Sequence, residues 1–195
     1  MAIIQSKYAN AYWKNIAINS LALLLSNLSN IESKEARLNC LIAIYNMQNC
    51  ITQGCPLGAS QGLGYALGAL FDVPHGYTSC VFIPAVLKWN ILNANNDETI
   101  QQNQDIIRNI FTQVFQSNKN FNENDSASIM AHNYIESLQL PRWLHEFNVT
   151  SNDFDTLSEY GMKAIWSPFN CVPVTTKEQV LQILQIASHK HELYR

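Results

Sequence analysis

Six of the chain's seven glycines, Gly54, Gly58, Gly62, Gly64, Gly68 and Gly76, fall in or just before one stretch, residues 58–90, which reads GASQGLGYALGALFDVPHGYTSCVFIPAVLKWN. A glycine inside a helix costs about 1 kcal/mol against alanine, so a helix that keeps four of them is built for close approach. Gly58 and Gly62, and then Gly64 and Gly68, stand four apart. They leave two smooth strips where a backbone, a neighbouring helix or a ligand can come near. The stretch is a site or a tight packing seam. Gln61, Tyr65, Gly68 and Asp72 share one face of this helix, and Leu63, Leu67, Leu70 and Phe71 lie round the other. Val73-Pro74 ends it, because the residue before proline avoids the helical region. His75-Gly76 then opens a second helix from 77 to about 92, with His75 at its entrance facing the polar side.

The remaining signals are helical too. Residues 8 to about 25 carry Tyr12, Ile16, Leu21, Leu24 and Leu25 at helical spacing, and Ser33 can cap a second helix from 34 to about 52 with Leu38, Leu41, Ile42 and Tyr45 on one stripe. Pro84 should kink the helix it interrupts. Asp97 begins another helix with Ile100, Ile107, Ile110, Phe111 and Val114 as its buried side, and a polar loop spans 117–125. Helix 126–140, a turn at 142–147 opened by Pro141, a helix capped by Thr150 with Asp153, and a last helix capped by Thr175 with Glu178 complete the chain. With no alternating stretch or hairpin dipeptide, the expected fold is an all-α multi-helix bundle of about eight or nine helices in a single domain, 1–195.

Charge and composition exclude several partners. Charged residues make up only 14% and the net charge is −3, without a run of Lys or Arg, which argues against nucleic acid and anionic membranes. The apolar run at 21–25 is too short to span a bilayer, and residues 1–7 carry no signal-peptide core; the expectation is a cytoplasmic protein. Five cysteines without a CxxC pair fit neither a disulfide framework nor a zinc site, and are expected to be reduced and mostly buried.

The spacing of residues 58–76, GASQGLGYALGALFDVPHG, followed by IPAVLKWN, resembles the signature of the iron-containing (group III) alcohol dehydrogenases and their maleylacetate reductase-like members, GxxHGxxHxLGxxxxxPHG followed by LPxVxxxN. EARLNCLIAIYNMQ before it, and LPRWLHEFNV and WSPFNCVPVTTKEQVLQIL after it, look like the same family's helical C-terminal domain. What the resemblance implies is a dehydrogenase whose N-terminal nucleotide-binding domain is missing here. In that family one Asp and three His hold a divalent metal. Of the signature histidines this sequence keeps His75, while Gln61 and Tyr65 stand at the other two, and no Asp or His precedes Asp72. The expectation is therefore no bound metal in the inherited geometry. No strand followed by a glycine-rich turn is present to hold a nicotinamide dinucleotide, so no cofactor is expected either.

The candidate catalytic residues are Tyr65, His75, Gln61 and Asp72, a polar set facing the cleft that the resemblance implies. A tyrosine and a histidine within hydrogen-bond reach can move protons without metal. The reading in which Tyr65 fills the space of the lost metal ranks ahead of it. His132 and His145 read as surface or half-buried, His189 and His191 as solvent-facing, and Trp89, Trp143 and Trp166 as packing; Phe169 and Asn170 could line the cleft. Three functions stay open: a half-enzyme that needs a partner chain for redox work, a repurposed catalyst independent of metal and nicotinamide, and a non-catalytic interaction module. Each implies a homo-oligomer or a separate nucleotide-binding subunit as partner, with a possible small-molecule ligand in the cleft.

Overall fold

In the computed structural model, which describes residues 1–115, 121–164 and 166–194, the described residues form ten α-helices and no strand. They are α1 Ala2–Gln5, α2 Ala11–Asn27, α3 Lys34–Thr52, α4 Ala59–Phe71, α5 His75–Leu92, α6 Glu98–Phe115, α7 Ala127–Ser137, α8 Phe154–Met162, α9 Lys177–Ser188 and α10 Lys190–Tyr194. The all-α expectation holds. The short α1 and α10 carry no sequence signal long enough to find them, and part of the polar loop read at 117–125 lies outside the described residues.

Helix ends follow side-chain chemistry. Asn10 accepts from the Trp13 amide (3.1 Å), Ser33 from Ala36 (3.4 Å) and Ser126 from Ile129 (3.4 Å), each satisfying an otherwise orphaned donor. Thr150 and Asp153 close on each other, the Thr150 amide donating to the Asp153 carboxylate at 2.8 Å. The cap of α9 sits one residue beyond the expected Thr175: Thr176 pairs with Gln179 in a reciprocal box, and Gln179 Oε1 also accepts from the Thr175 amide. With Thr176 as the cap, the residue three positions on is Gln179, and Glu178 stands one position short of the reciprocal partner. Helix α7 ends at Ser137, three residues short of the expected end, and α5 starts at His75, two residues early.

Helix α5 is the axis of the fold. It is apolar on almost every side, which places it in the interior rather than at a surface, and it runs unbroken through Pro84. On one side, Leu63 and Leu67 of α4, Phe82 and Trp89 of α5, Leu157 of α8 and Ile183 and Leu184 of α9 form a core. On the other, Ile3 and Ile4, Leu21 and Leu25, Ile107 and Phe111, and Met130 join α1, α2, α6 and α7, with Leu87 of α5 reaching into them. The expected inner side of α6 holds, Ile100, Ile107, Ile110 and Phe111 all being buried.

The stripe on α3 points the other way. Leu38, Leu41, Ile42 and Tyr45 do share a face, but Leu41 is 62% and Tyr45 68% exposed. The inner face, against α2, is Ala36, Cys40, Ala43 and Cys50. Small side chains let the two helix axes approach, and the large apolar ones are left outside. Tyr12 on α2 is likewise exposed, against expectation. No described helix is long and apolar enough to cross a membrane.

Candidate functional site

Both glycine strips turn out to be packing seams. A Cβ on Gly62 would stand 2.6 Å from Ser167 Oγ and 3.0 Å from the Ala164 methyl, and one on Gly58 2.9 Å from Asn170 Oδ1. That strip receives Ala164, Ser167 and Asn170. On the second strip, a Cβ on Gly64 would stand 2.7 Å from Thr78 Oγ1 and one on Gly68 3.2 Å from the Val73 carbonyl. The first turn of α5 thus lies directly on the backbone of α4. At the turn between them Asp72 closes α4 in the left-handed region, φ 54°, which aspartate tolerates better than most residues.

This close approach brings Gln61 and His75 together. Gln61 Nε2 lies 3.2 Å from His75 Nε2. An amide nitrogen can only donate, so Nε2 of the ring accepts and the neutral imidazole carries its proton on Nδ1. The Tyr65 ring stacks on that imidazole, centroids 5.7 Å apart and planes 20° apart. Tyr65 and His75 are both exposed, and Gln61 is half-buried. Three of the four expected site residues therefore form one cluster. Asp72 is the exception: it is exposed at the end of α4, and among the described residues its carboxylate makes no hydrogen bond or ion pair with the other three.

As a donor set, the cluster is one imidazole with its Nε2 lone pair engaged by an amide, and a phenol. Among the described residues no three His, Cys, Asp or Glu side chains converge as cation ligands do. Four thiols are poor nucleophiles: burial pushes Cys50, Cys55 and Cys80 up from the usual range and Cys171 to about 11, so each of these stays protonated at neutral pH.

Of the segment expected to line the cleft, Phe169 is exposed and packs edge-on to Tyr8, ring centroids 5.7 Å apart. Asn170 is buried instead. Its Oδ1 accepts from the Ala59 amide at 3.2 Å, and its Nδ2 donates to Asn90 Oδ1 at 2.6 Å and to the Val172 carbonyl at 2.8 Å. Asn90 Nδ2 then donates to Gln5 Oε1 at 3.1 Å. Sequence reasoning missed Gln5, and it read Asn90 only as the last residue of the signature, not as part of a buried relay. A polar residue on an otherwise apolar helix such as α5 was the available signal.

His132 corrects a second expectation. It is 2% exposed, not at the surface, and packs against Trp143 (4.7 Å) and Tyr194 (5.9 Å) with Nδ1 unpartnered among the described residues. Burial first, then the nearby Arg142 guanidinium, lowers its pKa to about 4. It is a neutral core residue. His145, His189 and His191 are exposed, Trp89 and Trp143 are core, and three of the five cysteines are buried.

The model of the Fe-containing alcohol dehydrogenase family, C-terminal, matches residues 4–188. Dehydrogenase ALT3 of Alternaria alternata is 33% identical over 178 residues, covering 86% of this chain and 44% of that protein. An iron-containing alcohol dehydrogenase from Corynebacterium glutamicum superposes with a TM-score of 0.76 at 18% identity, over 99% of this chain and 50% of that one. A maleylacetate reductase from Rhizobium sp. strain MTP-10005 does so with a TM-score of 0.72 at 16% identity, over 96% and 48%. These last two likenesses establish the fold, and the chain spans about half the length of each relative. By the family match and the identity to its relatives, this chain belongs to the Fe-containing alcohol dehydrogenase family and corresponds to its helical C-terminal part.

Proposed function

We propose that residues 1–195 are the helical half of an iron-type alcohol dehydrogenase or maleylacetate reductase-like unit whose cleft no longer takes the family's metal, and that redox turnover needs a nucleotide-binding portion these residues do not contain. The observation that carries the reading is the Gln61–His75 pair at 3.2 Å. The resemblance puts a metal-binding imidazole at each of these two positions. Here an amide hydrogen bond uses the Nε2 lone pair that a cation would require, and an amide is a poor replacement for an imidazole ligand. The residues present do not fit the metal. The outer face of α3 is where the nucleotide-binding portion would dock. Residues 38–71 contain no charged side chain, and about half of each relative's length lies outside what this chain matches.

The cluster's own chemistry is proton transfer. With Nε2 held by Gln61, the Nδ1–H of His75 and the hydroxyl of Tyr65 are the groups free to serve a substrate in the cleft. This also supports a second reading, a metal- and nicotinamide-independent catalyst, favoured by the exposed Tyr65–His75 stack.

Affinity capture with the chain as bait, followed by elemental analysis and an NADH and NADPH absorbance assay, tests the proposal. The expected result is a nucleotide-binding subunit in the capture, no stoichiometric iron or zinc on the chain itself, and reduction of aldehydes or ketoacids only with both components. One metal per chain, or turnover by the chain alone, would overturn it.

A further inference from the structure

Behind Gln61 lies a pocket of about 160 Å³ between α1, α3, α4 and α5. Its walls are apolar, from Met47, Leu57, Ile83, Val86 and Leu87, its mouth carries Ser60, Gln61 and Ser79, and Gln5 and Asn170 close its inner end. No charged side chain lines it; Met1 also belongs to the lining, and burial lowers its α-amino group to about 6, so that it is mostly neutral at pH 7.

The inner end has a fixed polarity. The Ala59 amide can only donate, which makes Asn170 Oδ1 the acceptor and turns Asn170 Nδ2 toward Asn90 Oδ1 and the Val172 carbonyl. Asn90 is thereby forced to present Nδ2 to Gln5 Oε1. Every amide in the relay is oriented by one backbone N–H. The relay ends on Gln5 Nε2, which is buried, has no partner among the described residues and belongs to a side chain only 5% exposed. A buried donor without an acceptor is costly, by about 1–3 kcal/mol, and the pocket is the space from which one can be supplied.

We propose that this pocket is a binding site for a small, uncharged, mostly apolar molecule carrying one hydrogen-bond acceptor, which Gln5 Nε2 receives. A lining without charged side chains, with the Met1 α-amino group mostly neutral at pH 7, selects a neutral ligand. The volume selects its size, since an engineered cavity of about 150 Å³ takes benzene, a six-atom ring. The oriented amide selects a carbonyl or ether oxygen over an N–H. The site goes beyond the redox reading and does not depend on it.

The test is titration of the purified chain with cyclopentanone and with methylenecyclopentane, its near-isostere without an acceptor, followed by NMR of the Met47, Ile83 and Leu57 methyl groups. Cyclopentanone is expected to shift these methyls and to bind about tenfold more tightly than the hydrocarbon. Gln5→Glu keeps an acceptor for Asn90 but turns an oxygen into the pocket, and should reduce that preference to less than about twofold. Ile83→Phe, which fills the pocket, should remove binding of both. Equal binding of the two probes, or no shift of the pocket methyls with either, overturns the proposal and leaves a gap that holds water. Should Gln5→Glu not fold, the ratio in the unaltered chain decides alone.

Discussion

A Cβ on Gly64 would stand 2.7 Å from Thr78 Oγ1, and that hydroxyl in turn donates to the His75 carbonyl at 2.8 Å. The bare backbone at 64 thus sets how closely the first turn of α5 lies on α4, and with it where the His75 ring meets Gln61. The Gln61–His75–Tyr65 cluster depends on a glycine that touches none of its side chains.

Gly64→Ala should therefore destabilise the fold by about 1–3 kcal/mol, because Thr78 is β-branched, buried and hydrogen-bonded and cannot move aside cheaply. Gly76→Ala is the control. A Cβ there meets nothing within 4 Å, so the helix gains from a few tenths to about 1 kcal/mol. Urea unfolding of both variants checks the pair; equal effects would mean that the α4–α5 seam is not close-packed.

Neutral His75 should carry its proton on Nδ1, since Gln61 donates to Nε2. Long-range ¹H–¹⁵N spectra of the neutral ring distinguish the tautomers, and Gln61→Leu should abolish the bias. A dominant Nε2–H form in the unaltered chain would mean that the amide accepts instead and that the lone pair is not engaged as described.

Stability should fall in mild acid because of His132. Its native pKa is about 4 against an ordinary value of 6.5. Between these values the unfolded chain binds the extra proton, so stability is full above about pH 6.5 and is lost as pH falls toward 4. The loss at the acid end is on the order of 2–3 kcal/mol. Urea midpoints measured from pH 7 to pH 4 check it. In His132→Leu that part of the slope should disappear; an unchanged slope would assign it elsewhere.

Leu41→Gln with Tyr45→Gln should leave urea stability within about 0.5 kcal/mol, because both side chains are solvent-facing. Ala43→Leu, on the inner face against α2, should cost about 1–3 kcal/mol by overpacking. Affinity capture with the double variant should lose the nucleotide-binding partner while the fold remains. Sedimentation that finds a dimer of the unaltered chain and a monomer of the variant would give the α3 face to a second copy of the chain instead.

The sequence by itself determined the elements that obey local rules. Helix periodicity, Ser33 and Thr150 as caps and the break at Val73-Pro74 act within a few residues of where they are read, so the all-α class and the shared face of Gln61 and Tyr65 were legible. Three-dimensional packing decided the rest. Helix α3 carries two stripes, one of large apolar residues and one of Ala36, Cys40, Ala43 and Cys50; periodicity detects both, and only the partner helix α2 selects the small one for the interior. The glycine strips could have faced a ligand or a neighbour until Ala164, Ser167, Asn170 and Thr78 occupied them. The Gln5–Asn90–Asn170 relay joins residues 80 or more positions apart, so no local pattern encodes it; it exists because α1, α5 and Asn170 meet at one place.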